Sequence, residues 1–218
     1  MSTLALFRVS LYLRRLAELE QEGVEKTSSR ELGERFSISA ASVRKDLGFF
    51  GAFGRAGIGY EVHGLRESLM GILGLERTWK VAIVGAGRLG RALAKHKGLA
   101  ESKFEISALL DKFPDKTLGE GELKLEILHI DVLPEVAHER DIEIGIIAVP
   151  GPDAQDAANS IVAAGLKAIL NFAPARIKVP PGVFVHNVDF TIYLENLAYF
   201  VNRVYHQGQT DIDGSGLD

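Results

Sequence analysis

A glycine-rich motif at residues 85–90 constrains the fold of this chain more than any other feature. It follows directly on the apolar run Val-Ala-Ile-Val and precedes a stretch of helical periodicity. In that setting the first glycine makes a tight turn, the second lets the backbone approach a pyrophosphate, and the third lets helix pack on strand. The helix N-terminus offers free N–H groups to the phosphates. The candidate ligand-binding residues of this motif are Gly85, Ala86, Gly87, Arg88, Leu89 and Gly90.

An acidic residue at the end of the next predicted strand completes the pattern. Asp111 lies 21 residues after Gly90 and ends the apolar run at residues 106–110. Dinucleotide-binding folds place there the carboxylate that binds the two ribose hydroxyls. Because a carboxylate repels a 2′-phosphate, the site favours NADH and NAD⁺ over the phosphorylated coenzymes, although the adjacent Lys112 weakens that exclusion slightly. The alternative is an α/β turn that binds no ligand.

Strands and helices alternate from residue 79 onward. Strands are predicted at residues 80–84, 105–110, 143–149, 168–172 and 183–188, with helices at residues 88–97 and 153–164. This alternation predicts an α/β fold, a Rossmann-like doubly wound parallel sheet covered on both faces.

Two further segments follow predicted strand ends, where open α/β sheets bind ligands. They are Ala148-Val149-Pro150 and Asn171-Phe172-Ala173-Pro174. We expect Asn171 to hold a carboxamide, and Val149 and Phe172 to face a nicotinamide ring. The alternative is that the prolines only end the strands.

The first 78 residues show a different pattern, in which helices precede a glycine-rich hairpin. The predicted elements are helices at residues 2–21, 28–36 and 40–50, the hairpin at residues 51–62, and a short helix at residues 65–73. Ser28 and Glu31 have the spacing of a capping box, which opens the second helix. This order predicts an N-terminal winged helix-turn-helix, whose third helix enters a DNA groove.

The candidate nucleic-acid contacts lie on the third helix, the hairpin and the start of the second helix. We expect Arg44 and Lys45 to face outward and reach phosphates or guanine edges, although a charged pair is also typical of a solvated helix face. Arg55 at the hairpin tip is placed to enter a minor groove. Ser28 and Ser29 are candidate phosphate donors, but capping alone also explains them.

Composition excludes several classes of protein. The chain has no cysteine, which rules out disulfides, thiolate nucleophiles and cysteine-based zinc sites, and we predict no metal. It has no apolar run of about 18 residues and no secretion signal, so we expect a cytoplasmic protein without membrane contact. The net charge of −4 does not by itself favour nucleic acid, so that prediction depends on where the basic residues lie.

We therefore divide the chain into four parts. Residues 1–78 are the predicted DNA-binding domain, residues 79–188 the NAD(H)-binding domain, residues 189–205 an apolar C-terminal helix, to which the resemblance described next gives a role in dimerisation, and residues 206–218 a disordered tail. The helices at residues 2–21 and 189–203 are apolar on several sides, and such helices require burial on several sides.

Taken together, these motifs resemble the Rex family of redox-sensing transcriptional repressors over about residues 1–205. The matching stretches are Thr27-Ser28-Ser29, Val43-Arg44-Lys45-Asp46-Leu47, Gly57-Ile58-Gly59-Tyr60, residues 83–90, residues 170–174 and Asn187-Val188-Asp189-Phe190. The resemblance implies a homodimer that binds a palindromic DNA operator when NADH is scarce and releases it when NADH binds. It also implies that the C-terminal helix is exchanged between subunits.

For the DNA-binding half, the resemblance implies that Arg44, Lys45 and Tyr60 contact the operator. The wing departs from the family pattern, because it lacks a basic residue immediately before Gly57. Arg55 is the basic residue that remains to take this role.

For the coenzyme half, the resemblance implies that the glycine motif and Asp111 bind NADH. Phe190 of the partner subunit would lie near the nicotinamide, and Asp189 would pair with Arg14 in one state of the switch. His96 stands at a position associated with a tyrosine near the nicotinamide. NAD⁺ is expected to compete more weakly than NADH, since an apolar pocket penalises an unpaired cationic ring.

Two alternatives remain open at this stage. An NAD-dependent oxidoreductase would need a general acid or base near the nicotinamide, and His129, His138 and His186 have no neighbouring catalytic constellation. A CoA-binding regulatory module is suggested by residues 150–174, which also look like CoA-binding Rossmann domains. Asp111 argues against CoA, because CoA carries a 3′-phosphate on its ribose.

Overall fold

The computed structural model describes residues 3–55, 58–114 and 125–210. The chain divides into two compact units between Thr78 and Trp79. Among the described residues, no helix combines the length and the hydropathy needed to span a membrane.

The first unit is a small helical domain with a short antiparallel sheet. Its elements are α1 (Thr3–Gln21), β1 (Lys26–Thr27), α2 (Ser29–Glu34), α3 (Ala40–Gly48), β2 (Gly54–Arg55), β3 (Gly59–Glu61) and α4 (Val62–Ile72). β3 pairs with β1 on one side and with β2 on the other. The core contains Val9, Tyr12, Leu16, Leu32, Val43, Leu47 and Leu69. This arrangement confirms the predicted winged helix-turn-helix.

Side-chain caps set the starts of the helices around the turn. The Ser28 hydroxyl accepts from the N–H of Glu31 and the Glu31 carboxylate accepts from the N–H of Ser28, which confirms the capping box. Ser39 caps α3 in the same way through the N–H of Ser42. Near the end of α2, a Cβ on Gly33 would lie 2.1 Å from the carbonyl oxygen of Ile38 in the turn to α3. Glycine therefore allows the tight turn.

Several boundaries in this unit differ from the predictions. α2 and α3 end at Glu34 and Gly48 rather than at residues 36 and 50, because the chain closes into single turns there. The sequence does not predict β1, since two residues are too few for an alternating pattern. Val62 begins α4 instead of ending the hairpin, because the Glu61 carboxylate accepts hydrogen bonds from the N–H groups of His63 and Gly64.

The second unit is built on a parallel sheet. Its elements are β4 (Trp79–Val84), α5 (Arg88–Ala94), α6 (Lys97–Glu101), β5 (Phe104–Asp111), β6 (Ile127–His129), α7 (Leu133–Glu139), β7 (Ile144–Ile147), α8 (Ala154–Ala163), β8 (Ala168–Asn171), β9 (Phe184–Asn187) and α9 (Thr191–Thr210). The strand order is β6-β5-β4-β7-β8-β9, with every described pair parallel. This is the strand order of the dinucleotide-binding fold, and it confirms the predicted doubly wound sheet.

The sheet is apolar on both faces because successive strand residues point to opposite sides. On β4, Ala82 and Val84 pack in one cluster with Leu133 of α7 and Ile161 of α8. Val81 and Ile83 pack in a second cluster on the α5 side of the sheet. The two clusters leave the carboxyl ends of β4 and β7 facing a crevice.

Two predictions in this unit need correction, and two elements are not predicted from the sequence. The helix predicted at residues 88–97 ends at Ala94, because the N–H of His96 donates to the carbonyl of Leu93 (3.1 Å) and closes a turn before α6. The sequence analysis also misses β6 and α7, whose apolar pattern is short. α9 continues to Thr210, so residues 206–210 do not belong to a disordered tail. Their polar composition contains no proline to stop the helix, and residues 211–218 lie outside the described residues.

Candidate dinucleotide site and nucleic-acid interface

The three glycines of the motif take the three predicted positions. Gly85 has φ +108°, and a Cβ there would lie 2.5 Å from the carbonyl oxygen of Ala148. A Cβ on Gly90 would lie 1.8 Å from the carbonyl oxygen of Gly85, so only glycine lets α5 approach the strand. Gly87, by contrast, has nothing within 4 Å of a Cβ position. Its open side leaves room for a ligand phosphate at the start of α5.

Asp111 faces the glycine loop and is held there by two backbone donors. Its Oδ2 accepts from the N–H of Ala86 and its Oδ1 accepts from the N–H of Phe113, both at 2.8 Å. Each carboxylate oxygen retains further acceptor capacity. The side chain is therefore fixed in orientation and still able to accept from a pair of ribose hydroxyls.

A cavity of about 390 Å³ opens beside Asp111 at the carboxyl edge of the sheet. Lys112, Val149 and Pro150 line it, as predicted from the strand-end segments. The sequence analysis missed other lining residues, including three carboxylates that belong to different elements. The additional polar lining residues are Asp131, Asp153, Asp156 and Ser160.

The charge of this cavity suits a neutral, hydroxyl-rich ligand portion better than a further phosphate. Four carboxylates line it against one lysine, and like charges repel. Among the described residues, no group of three or more ligating side chains is arranged to hold a metal ion.

Asn171 is held by hydrogen bonds at the end of β8. It is fully buried, its amide nitrogen donates to the carbonyl of Ala175 and to Asn187 Oδ1 (both 2.9 Å), and its Oδ1 accepts from the N–H of Ala173 (3.0 Å). These bonds tie the end of β8 to β9 and use both amide protons, so only Oδ1 keeps acceptor capacity. Phe172 and Ala148 pack against the second apolar cluster, on the α5 side of the sheet, and do not line the cavity.

The remaining predicted residues of this unit are exposed. Phe190 is 67% exposed at the start of α9, and Arg88, Leu89 and His96 lie at the surface around α5. Asp189 Oδ1 accepts from both the N–H and the hydroxyl of Thr191. These bonds lower the pKa of Asp189, so the side chain stays anionic.

In the first unit, four of the predicted contact residues line one groove, and Lys45 does not line it. Arg44 and Lys45 are exposed on α3, and Arg44 Nη1 donates to Ser29 Oγ (3.0 Å). The groove has a volume of about 650 Å³ and lies between the start of α2, α3 and the wing. Its lining includes Ser28, Ser29, Arg44 and Tyr60. Hydroxyl and guanidinium donors therefore face one concave surface, as contacts to phosphate require.

Tyr60 and the wing form the far wall of this groove. Burial raises the pKa of the Tyr60 phenol, and a protonated phenol can donate a hydrogen bond. Arg55 lies in β2, opposite Gly59 of β3. The predicted tip, residues 56–57, lies outside the described residues.

Lys26 is a groove residue that the sequence analysis missed. It is exposed on β1 and lines the groove with Arg44. Its position directly before the Thr27-Ser28-Ser29 run is the signal that identifies it in the sequence. The exposed Arg14 of α1 does not line the groove.

Comparison with known proteins agrees with this geometry over most of the chain. The chain is 43% identical over 196 residues to the redox-sensing transcriptional repressor Rex of Syntrophomonas wolfei, which covers 90% of this chain and 93% of the relative. The Rex of Thermus thermophilus is 47% identical over 197 residues, covering 90% of this chain and 92% of the relative. The chain belongs to the Rex family.

Solved structures of a Rex-family repressor named RSP are also similar to this chain. RSP in complex with β-NAD⁺ and operator DNA has a TM-score of 0.85 and 34% identity, covering 100% of this chain and 99% of that chain. RSP in complex with β-NADH has a TM-score of 0.84 and 32% identity, covering 96% of this chain and 98% of that chain. The family resemblance and the fold class predicted from the sequence are thus confirmed.

Two family models match separate parts of the chain. Residues 2–48 match "Putative DNA-binding protein N-terminus" and residues 76–175 match "CoA binding domain". The Rex relatives are named as transcriptional repressors, and the family is therefore not one of enzymes. This sets the oxidoreductase alternative aside.

Proposed function

We propose that this chain is an NADH-responsive transcriptional repressor that binds a palindromic operator as a homodimer and is released when NADH binds. The observation that carries the proposal is that one Rex-family chain contains both an outward-facing Arg44–Lys45 pair on a capped helix and a glycine loop closed by Asp111. We assign residues 1–78 to DNA binding, residues 79–188 to the coenzyme, and α9 to the dimer. We also place the protein in the cytoplasm, because its relatives are repressors of bacterial transcription.

Arg44 and Lys45 are the proposed sources of operator specificity. A guanidinium or ammonium group in the major groove can bind the acceptor edge of guanine. Lys26, Ser28, Ser29 and the hydroxyl of Tyr60 are proposed phosphate contacts, which position the protein without reading the sequence. Arg55 of the wing is the proposed minor-groove contact. RSP, the structural relative, was solved with operator DNA.

The glycine loop and Asp111 are the proposed coenzyme contacts. The open side of Gly87 admits the pyrophosphate, and the oriented carboxylate of Asp111 accepts from the ribose hydroxyls. Val149, with Phe190 of the partner subunit, supplies the apolar surroundings proposed for the nicotinamide. These surroundings favour the neutral ring of NADH over the cationic ring of NAD⁺, so NAD⁺ acts as a weaker competitor.

NADH releases DNA only to the extent that it prefers the dimer arrangement that does not fit the operator. Two reading helices must lie about 34 Å apart to occupy successive half-sites, so a modest rearrangement of the dimer is sufficient. Arg14, His96 and Asp189 are the proposed switch residues. An aspartate such as Asp189 is anionic at neutral pH and can therefore pair with Arg14.

A CoA-binding regulatory module is the second candidate, favoured by the family model that matches residues 76–175. The carboxylates that line the cavity oppose it, because the adenosine ribose of CoA carries a phosphate where the site offers Asp111. Titration of bound NADH with CoA separates the two: displacement at equal concentrations supports the CoA module, and retention of NADH supports the repressor.

The Arg44→Ala variant tests the assignment of the reading helix. Loss of one bidentate base contact is worth about 1–3 kcal/mol, so we expect operator affinity to fall about tenfold or more in a gel-shift titration, with NADH binding unchanged. Lys178→Ala, which removes an exposed positive charge in the second unit, is the matched control. NADH should release the wild-type protein from operator DNA at a lower concentration than NAD⁺ does. Equal operator binding by wild type and Arg44→Ala contradicts the assignment.

A further inference from the structure

A partly buried ion pair connects α3 to α1. Asp46 of α3 is 4% exposed, although it directly follows the exposed Lys45. Its Oδ2 and Oδ1 accept from Arg8 Nε and Nη2, both at 2.6 Å, and Oδ2 also accepts from the hydroxyl of Tyr12 at 2.8 Å. Tyr12 is fully buried. We call Arg8, Tyr12 and Asp46 the α1–α3 tether.

Stability alone does not account for the tether. Burying charges costs several kcal/mol per ion, and well-packed apolar residues of similar volume are often equally or more stabilising. Arg8 keeps the pKa of Asp46 below its usual value, so the carboxylate is ionised at neutral pH and the pair is intact there. Unlike apolar contacts, the hydrogen bonds of an ion pair fix the direction of the contact.

The direction of contact matters because of where Asp46 lies on α3. The other buried residues of this helix are Val43 and Leu47, whose apolar contacts permit small rotations of the helix. Side-chain atoms lie about 6 Å from a helix axis, so a rotation of about 20° moves the tips of Arg44 and Lys45 by about 2 Å. Hydrogen bonds to base edges have a distance range of only about 0.5 Å.

We propose that Arg8, Tyr12 and Asp46 are positioning residues that fix the rotation of α3 and thereby aim Arg44 and Lys45 at the operator bases. This inference rests on the proposed function, since it assumes that α3 reads DNA. The tether is expected to affect sequence-specific binding more than binding to DNA of unrelated sequence. Phosphate contacts tolerate small displacements better than base contacts do.

The decisive experiment compares affinity for operator DNA with affinity for unrelated DNA in the full-length protein. An apolar replacement, Arg8→Met with Tyr12→Phe and Asp46→Leu, should keep or raise the melting temperature. We expect it to lower the operator-to-unrelated affinity ratio about tenfold, with NADH affinity unchanged. Arg8→Lys keeps the charge but not the paired geometry, and we expect it to lower the same ratio about threefold or more.

Arg15→Met is the matched control, because Arg15 lies on the same helix but pairs with Glu18 and Glu22. Its affinity ratio should equal that of the wild type. An undiminished ratio in either folded tether variant overturns the proposal, and Arg8→Lys decides the question if the triple variant does not fold. If Arg44→Ala also leaves the ratio unchanged, the proposed reading helix is wrong, and that failure is thereby distinguished from failure of the tether.

Discussion

At the scale of single residues, Asp111 both shapes the glycine loop and faces the cavity. One of its oxygens accepts a hydrogen bond from the N–H of Ala86, and the other accepts one from the N–H of Phe113. The spacing from Gly90 is enough to predict that a carboxylate stands here. The bond from Phe113 is local, whereas the bond from Ala86 depends on the packing of β4 beside β5.

Asp111→Asn tests that dual role. The amide keeps the shape of the side chain but loses the charge and one acceptor position, so we expect NADH affinity to fall about tenfold. The ratio of NADH affinity to NADPH affinity should fall as well, because the repulsion toward a 2′-phosphate is reduced. Both quantities are measured by fluorescence titration of the coenzymes. Asp141→Asn, at an exposed position, is the control, and unchanged coenzyme preference in Asp111→Asn would contradict the ribose assignment.

The glycines of the loop provide a matched pair of substitutions. Gly87→Ala has open space for its methyl group, so unfolding free energy should stay within about 0.5 kcal/mol of wild type. NADH affinity should fall about tenfold or more, because the methyl group occupies the phosphate approach. Gly90→Ala forces a carbon against the Gly85 carbonyl and should destabilise the protein by about 2 kcal/mol or more. Thermal melting and NADH titration together check this, and tight NADH binding by Gly87→Ala would refute it.

At the scale of elements, the helices around the nucleic-acid interface depend on two kinds of contact. Residues close in the chain determine where each helix begins, and residues distant in the chain determine how it is oriented. The caps of α2 and α3 involve residues three apart in the chain, so the sequence reveals them. The bond from Arg44 to Ser29 and the pair of Arg8 with Asp46 connect residues 15 and 38 positions apart. No periodic pattern reports such contacts, which is why the sequence analysis did not find the tether.

The contact between α1 and α4 is expected to depend on pH. Glu20 of α1 accepts from His63 of α4 (2.6 Å) and raises the pKa of that imidazole. A group with a raised folded-state pKa stabilises the fold below its unfolded pKa of about 6.5, and the contribution is lost as the pH rises through the folded pKa. The melting temperature of the wild type should therefore be higher than that of His63→Gln at pH 6, and this difference should vanish by about pH 9. In a Glu20→Gln background, replacing His63 should leave the melting temperature unchanged at both pH 6 and pH 9. A difference that does not vary with pH would count against the pair.

At the scale of the whole molecule, the apolar surface of α9 is the feature that the proposed homodimer accounts for. Its large apolar residues are exposed on all sides of the helix, and they include Tyr193, Leu194, Leu197, Tyr199 and Phe200, each 58–66% exposed. A helix this apolar requires burial by another surface. The proposed homodimer would supply that burial, and its two-fold symmetry would match the proposed palindromic operator.

Leu197→Glu tests the dimer directly. A carboxylate in a buried interface costs several kcal/mol, so we expect dimer affinity to fall about a hundredfold or more, with operator binding weakened in parallel. Light scattering after size-exclusion chromatography measures the mass. Glu195→Gln on the same helix is the control and should remain dimeric. A dimer of wild-type stability in Leu197→Glu would exclude α9 from the interface.

The sequence by itself determined the features that depend on neighbours along the chain: the strand–glycine loop–helix unit, the caps, the alternation that makes a doubly wound sheet, and the apolar character of α9. Only the tertiary structure decided how distant residues use their hydrogen-bonding groups. It gives the amide of Asn171 a hydrogen-bond partner as distant in the chain as Asn187. It also brings Asp131, Asp153 and Asp156 to one cavity. It also buries Asp46 against α1. The physical reason is that local conformation follows from backbone sterics and periodicity, whereas the satisfaction of a polar group depends on which strands and helices pack beside it.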